Sequence, residues 1–501
     1  MIAQRLETQV VVVGAGPVGL MLAGELRLGG TGVVVLDQRD APTTESRAST
    51  LHARTMEILD SRGLLGALGT PPCELRGHFG GIPLDLSLPS SYPGQWKVPQ
   101  TRTEEVLQER AVALGATLLR RHRVRAVRTA PDHVEAVAAG PSGPVRVRGR
   151  FLAGCDGEHS TVRRLAGASF PGRDARRELL RADVGGIAIP DRRFQRLPNG
   201  LAIAARRGDG VTRVMVHEFG SLAGARPSGP GPADVSSAWK AVTGEDISGG
   251  AFLWVNAFGD ANRQLARYRH DRILFAGDAA HQQMPIGGQA LNLGLQDAVN
   301  LGWKLAAELA GLAPAGLLDS YHTERHAVGR RVLANIRAQA LLLLGNADIE
   351  PVRALLGELI ALPDVRARLA AMIGGLDIRY DVGPGDDPLL GARLPAARLV
   401  TAGGAASSTA ALLRTGRGLL LSLGDPPEAR LGEVAPWADR VDAVTAVPVP
   451  DTAPAPLRRG GAVLVRPDGH IVWTASAGTP LPAALLRWFG PARGPASRTA
   501  N

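Results

Sequence analysis

Two glycine-rich stretches hold residues whose types and spacing suit an anion or an electron-rich ring edge. The first is Gly14-Ala15-Gly16-Pro17-Val18-Gly19, with Asp37 following about twenty positions on. In a GxGxxG turn the first glycine allows a tight turn and the second lets a pyrophosphate approach a helix end. The third lets helix and strand pack, and the distant acid can accept from a ribose hydroxyl. This pattern points to a bound dinucleotide without choosing between NAD and FAD. The second stretch runs Asp278-Ala-Ala-His281-Gln-Gln-Met284-Pro285-Ile-Gly287-Gly288-Gln289-Ala290-Leu291-Asn292. A glycine pair just before a helix keeps Cβ atoms out of a ligand's path and leaves the free N–H groups of the first turn facing it. A plain strand-end turn would account for Gly277-Asp278 but not for Pro285, two glycines, Gln289 and Asn292 crowding one loop. A third segment, Asp156-Gly157-Glu-His-Ser160-Thr-Val-Arg163, reads by itself as a strand-end turn with Ser160 capping a helix. Arg54 suits either a solvated first helical turn or a phosphate, and Arg47, in a less regular approach, is the better ligand.

These residues need elements to hold them. Gln9 to Val13 reads as a strand, followed by a helix to Leu28 and a second strand over Val33 to Leu36, which together form a βαβ unit. Ile273 to Ala276 reads as a buried strand leading into the second loop, with a helix from Leu291 to Leu309. Thr103 reads as the cap of a helix over Glu104 to Leu114. Ala182 to Ile189, Val211 to Glu218 and Phe252 to Phe258 are strand-like, and Ser320 to Ile378 is helical. Gly383-Pro-Gly-Asp-Asp-Pro is a turn-rich linker. Beyond it, Gly418 to Leu423, Val441 to Val449 and Val463 to Val465 read as strands, Pro467 to His470 as a hairpin turn and Pro480 to Phe489 as a helix.

Composition narrows the class. A chain of 501 residues with 45% hydrophobic content accommodates about three globular domains. No apolar run reaches the ~18 residues of a membrane span, and Met1 to Thr8 is too polar for a secretory leader, so a cytoplasmic protein is expected. Cys73 and Cys155 lie far apart, without metal-ligand spacing, which supports neither a disulfide framework nor a zinc site. The formal charge is +10, yet lysine occurs only at 97, 240 and 304, and the arginines are interleaved with acids. A nucleic-acid footprint is not expected, whereas a field favouring phosphate-bearing ligands is.

GxGxxG near the start, DGxxSxVR in the middle and GDAAHxxxPxGGxxxN later stand in the order of the FAD-dependent aromatic hydroxylases, which the chain resembles over nearly its whole length. The class is typified by p-hydroxybenzoate hydroxylase. The fuller wording, including MLAGELRLGG, ARTMEIL, GHFGGIPLDL, VPQTRTEE, DAVNLGWKL and VRPDGHIVW, is similar to the branch acting on bacterial aromatic polyketides of angucycline, anthracycline and tetracycline type. This chain departs from the family in having Asp37-Gln38 where Glu then Arg or Lys is usual, and Ala290 where Gly is usual.

The resemblance implies an α/β fold: a Rossmann-like FAD-binding domain (1–74, 101–170 and 266–382, with a helical extension), an inserted mixed β-sheet for substrate (75–100 and 171–265), and a thioredoxin-like C-terminal domain (383–501). No cysteine falls in that last part, so a packing or oligomer role is expected, in a monomer or homodimer. By motif, Gly14 to Gly19 would hold the FAD pyrophosphate, and Asp37 and Gln38 the adenosine side. Arg47, Gln100 and Asp278 would meet the ribityl and phosphate region, and Pro285, Gly287, Gly288, Gln289, Ala290, Leu291 and Asn292 would line the isoalloxazine. Asp156-Gly157 belongs to the motif linked to FAD and the pyridine nucleotide. NADPH or NADH is the implied reductant, bound without a Rossmann domain of its own, and O2 the co-substrate. A flavin C4a-hydroperoxide would deliver oxygen to a polycyclic aromatic ring. His52, Trp96, Met215, His217, His281, Met284 and Pro285 are candidate substrate-side residues, each reading more readily as structural, and none is expected as an acid or base because such chemistry needs a dry, shaped pocket. Ile187, Ile189, Val214, Val216, Phe219, Trp254 and Phe258 would form an apolar roof, with Gly77, Gly80, Gly81 and Gly94 leaving room for a wide substrate. Baeyer–Villiger insertion or oxidative rearrangement on the same scaffold, an NAD-dependent dehydrogenase, and a non-catalytic FAD-binding protein are the alternatives.

Overall fold

The computed structural model describes residues 4–42, 49–224, 226, 229–424, 428–452, 454–458 and 460–493. Arg47 lies outside them.

Val10–Val13 and Val33–Leu36 are buried at every position, as strands covered on both faces must be. They occupy the middle of a six-stranded sheet whose order is Arg269–His270, Ile273–Phe275, Phe151–Gly154, Val10–Val13, Val33–Leu36, Thr117–Leu119. All neighbours are parallel except the first pair. The helices Pro17–Leu28 and Gln289–Leu309 pack closely, because Gly302 leaves space that the Glu25 side chain fills. The strands Gly143–Gly149 and Phe151–Gly154 follow one another closely yet belong to different sheets. The helix placed at Glu104 to Leu114 spans Gln100–Ala113, so Thr103 lies within it and bonds back to the Pro99 carbonyl. The long helical stretch resolves into Ser320–Leu344, Glu350–Ile360 and Pro363–Gly374.

The inserted sheet has five strands in the order Arg192–Leu197, Gly200–Arg206, Val211–Glu218, Glu178–Gly185, Ala251–Gly259. It is antiparallel throughout, not mixed. Residues 75–100 do not join it. Arg76–Phe79 and Ile82–Asp85 form their own hairpin, and Gln95–Trp96 pairs with Leu51–His52 and Cys73–Glu74. The hairpin instead reaches the edge strand through side chains: His78 packs on Phe194, and Arg193 donates to the Arg76 carbonyl.

The C-terminal sheet is six-stranded and mixed, in the order Ala406–Ser408, Arg398–Thr401, Val441–Pro448, Gly418–Leu423, Gly461–Val465, Ile471–Thr474. Its core merges with the rest of the chain through Trp303, Tyr380, Leu464 and Trp488. The turn Pro467 to His470 inserts against the first two-thirds of the molecule. Arg62 donates to the carbonyls of Leu413 and Pro467, and Arg54 to that of Asp468. Arg466, fully buried, forms a two-pronged pair with Glu324 (2.6 and 2.9 Å), which also takes the Lys304 ammonium at 2.8 Å. Asp468 accepts from Arg466, Asn300 and Trp303. Burial opposes charge on Glu324, but Arg466 and Lys304 outweigh it and hold the carboxyl down at about 2. Burial depresses Lys304 to about 8. Arg54 is thus neither solvated nor a phosphate ligand. It is buried against Glu57 and ties the C-terminal turn down.

Candidate active site

The first glycine loop is shaped by backbone contact. Gly14 has φ +105°, and a Cβ there would sit 2.3 Å from the Cys155 carbonyl oxygen; one on Gly19 would sit 1.9 Å from that of Gly14. Gly16 differs, since a Cβ added to it meets nothing within 4 Å. Open space therefore faces the start of the helix Pro17–Leu28, which has no side-chain cap and no acid in its first turn. An anionic group suits that end. Asp37, expected at a ribose, is engaged within the fold: one oxygen accepts from Ala15 N at 2.6 Å and the other from Arg39 N at 2.8 Å. Gln38 beside it is exposed. Gln100, at the start of its helix, donates to Glu104 at 2.8 Å.

Asp156 caps the helix Thr161–Leu165: one oxygen accepts from Ser160 Oγ, the other from the amides of Thr161 and Val162. Gly157 turns the chain beside it, and Arg163 bridges to the Ala279 carbonyl at 3.0 Å. The middle motif thereby braces the loop that bears Asp278, itself exposed.

The second glycine loop is held by side chains from distant parts of the chain. Gly287 and Gly288 have φ +64° and +69°, and the helix Gln289–Leu309 begins directly after them with no side-chain cap. Asn292 donates to the carbonyls of Thr50 and Gly288 and accepts from His52 N. His52 Nε2 donates to the Gly287 carbonyl at 2.6 Å. Burial pushes that imidazole down to about 4, so it is neutral near pH 7. Gln289 accepts from Asn335, which accepts from Gln339, which accepts from Gly80 N, so the loop is linked to the hairpin turn. Among the described residues Gln289 Nε2 is buried without a partner, as a residue completed by a ligand would be. Leu291 and Ala290 are half-buried, and Pro285 is exposed.

Beneath the loop is a buried charge cluster that joins His281 and Asp297, both from motif stretches, to Arg325, which lies outside them. Asp297 accepts from Gly277 N (3.1 Å), His281 Nε2 (2.8 Å) and Arg325 Nε (2.7 Å), and Arg325 continues to the Tyr380 hydroxyl. Burial works against the Asp297 charge, yet Arg325 and His281 keep its carboxyl below the ordinary range. His281 is completely buried here, which removes it from the substrate side.

The inserted sheet has two unlike faces. Val214, Val216, Leu180 and Ala182 pack on the helix Pro232–Thr243, with Ile187 and Ile189 alongside, so four of the expected roof residues face away. Cross-strand partners share a face, which puts Leu179, Arg181, Met215, Ile203, Trp254 and Phe258 together on the other side. Leu179, Met215, Ile203 and Phe219 join the cluster containing Met284 and Ile286 of the second loop. Arg181 stacks on half-buried Trp254 and Phe258. His217 is buried, with Nδ1 donating to the Glu178 carbonyl and burial lowering its pKa. Trp96 packs in the nucleotide-side core against Tyr92, not on this face. The four glycines expected to widen the site are packing positions: a Cβ on Gly77, Gly80, Gly81 or Gly94 would meet Leu86, Leu342, Leu343 or the Glu74 carbonyl within 3 Å.

Residues 7–336 match the FAD binding domain family and residues 387–492 the aromatic-ring hydroxylase C-terminal family. The chain is 42% identical to a 12-dehydrotetracycline 5-monooxygenase/anhydrotetracycline 6-monooxygenase of Streptomyces rimosus, over 96% of this chain and 99% of that protein. The crystal structure of CabE, an aromatic hydroxylase from angucycline biosynthesis, superposes with a TM-score of 0.93 at 49% identity, covering 97% of this chain and all of that one. A dialkyldecalin synthase of Streptomyces rugosporus is 39% identical over 96% of this chain and 99% of its own length.

Proposed function

Because this chain belongs to the FAD-binding aromatic-ring hydroxylases, a family of monooxygenases, we propose that it inserts one oxygen atom from O2 into a polycyclic aromatic polyketide at the expense of NADPH or NADH. FAD, when bound, would supply the redox chemistry by which two electrons from the nicotinamide and one O2 yield one oxygen atom in the ring and one water.

The chain's own part is to bind, orient and keep dry. The unfilled space at Gly16 and the uncapped helix behind it fit the pyrophosphate. Asp37, Gln38, Arg47, Gln100 and Asp278 are the residues we assign to the adenosine, ribityl and phosphate side, with Asp156-Gly157 bracing them. Pro285 to Asn292 would line the isoalloxazine, where the helix start at Gln289 favours negative charge on the ring. Neutral His52 holds the Gly287 carbonyl and so fixes how the loop presents its N–H groups.

The observation that carries this reading is that Met284 and Ile286 of the second loop share one apolar cluster with the Met215 face of the sheet. That arrangement supports a flat, apolar substrate held between loop and sheet. Residues 1–74, 101–170 and 266–382 would be the FAD-binding part and 171–265 the substrate part. We read 383–501 as thioredoxin-like and structural.

The test is an absorbance spectrum of the purified protein, anaerobic addition of NADPH, and mass spectrometry of products made under labelled oxygen from a tetracyclic polyketide and from simple phenols. Flavin reduction and label in the polycycle are expected. Coupled hydroxylation of simple phenols alone would overturn the substrate assignment. The synthase relative motivates a second reading, a flavin-binding protein that closes rings without net oxidation. It predicts product formation with no oxygen label.

A further inference from the structure

A cavity of about 400 Å³ opens beside the second glycine loop, and its lining is split by chemistry. Met284 and Ile336 belong to an apolar wall, while Arg173, Arg176, Arg177 and Arg337 stand at its rim. Among the described residues none of these four guanidinium groups makes an ion pair or a hydrogen bond. Two acids line the same cavity: Asp174 pairs with Arg263 at 2.5 Å, and Asp260 accepts from the backbone amides of Arg176 and Arg177, so the four arginines outnumber the carboxylates facing them. Four unpaired cations around one cavity repel one another, and they lower that repulsion by sharing an anion.

The rim is also built into the loop. Gly172–Arg173 pairs with Asn262–Gln264, which pairs with His281–Gln282, two residues before Met284. At Gly172 the strands come so close that a Cβ would lie 2.3 Å from the Asn262 carbonyl oxygen. A ligand fixed at the arginines would therefore be held in register with the chain entering the glycine loop.

The geometry points to the phosphates of the nicotinamide dinucleotide as the anion this rim takes, with the dinucleotide reaching along the Met284 wall toward the loop. The inference rests on the proposed function, because it presumes a nicotinamide reductant. A neutral polycyclic substrate has no use for four guanidinium groups, and the Met215 face already offers it an apolar surface.

The test uses the whole flavin-loaded protein and two variants on separate elements, Arg176→Ala/Arg177→Ala and Arg337→Glu. Binding of NADP+ is measured by calorimetry at two salt concentrations, and anaerobic flavin reduction is followed over a range of NADPH. We expect the dissociation constant for NADP+ to rise about tenfold or more in each variant and the wild-type constant to weaken with salt. FAD content, thermal midpoint and affinity for the polycyclic substrate should stay put. Inorganic pyrophosphate should compete with NADP+ in the wild type. Unchanged NADP+ affinity in both variants overturns the proposal, and so does weakened binding of the polycycle with NADP+ binding intact. No NADP+ binding by the wild type overturns it as well. The functional reading is judged separately, by oxygen incorporation with any reductant.

Discussion

The two glycine loops reach the same end, a helix start with no side-chain cap, by opposite means. In the first, backbone packs on backbone: Gly14 lies against Cys155 and Gly19 against Gly14. In the second, the positions of Gly287 and Gly288 are set by side chains from remote segments, chiefly His52, Asn292 and Asn335, and by the buried Asp297 cluster below. A loop defined by steric exclusion tolerates no added atom where backbone meets backbone, at Gly14 and Gly19, but needs no partners. A loop defined by hydrogen bonds tolerates small changes and loses its shape in steps.

This contrast can be tested from both sides. The largest effect is expected for Gly19→Ala, whose methyl would stand 1.9 Å from a carbonyl oxygen; soluble, folded protein should be lost, as read by yield and circular dichroism. Asp297→Ala leaves His281 and Arg325 buried without their partner and should cost about 3–5 kcal/mol in denaturant unfolding. Gly16→Val should fold normally yet purify colourless, because its side chain enters the space the pyrophosphate needs. A folded, fully yellow Gly16→Val protein would remove the cofactor assignment.

Smaller, graded losses should appear at the second loop. Asn292→Ala removes three hydrogen bonds and should weaken flavin retention by about 1–3 kcal/mol, measured by ultrafiltration of released FAD. His52→Gln should lower turnover by less than the ~10²-fold that loss of a general acid or base would bring. It also carries a pH signature. The folded imidazole titrates at about 4 against 6.5 ordinarily, so its contribution to loop docking is full above about pH 6.5 and is lost as pH falls toward 4. Flavin release followed by fluorescence should steepen over that window in the wild type and flatten in His52→Gln.

The same contrast explains what the chain revealed before folding. The βαβ unit and its loop were legible because the determinants are adjacent: four buried valines, three glycines and an acid in one short span. The role of Asp37 as a clasp on Ala15 was not, since a carboxylate in a GxGxxG unit reads as a ligand whatever else it holds. Arg325 lies outside every motif stretch, and although Asp297 opens DAVNLGWKL, only the crossing of two long helices makes the two partners. The sheet roof was half legible. Alternation along Val211–Glu218 gives two faces but not which one meets the loop, and the valines went to the helix Pro232–Thr243 while Met215 faced inward. The signal available was composition, since the β-branched face is the one that suits a permanent helix contact.

The inserted turn Pro467 to His470 has a consequence for how the protein is made. Lys304 and Glu324 already balance in charge, yet the buried network around them is completed by Arg466 and Asp468, which leave the ribosome some 140 residues after Glu324. Until then the helix pair encloses a carboxylate and an ammonium beside a gap lined by Trp303 and Tyr380. In the finished molecule the seam between those helices is closed by the last fifth of the chain, so a chain cut before residue 466 would lack the two residues that complete its buried network.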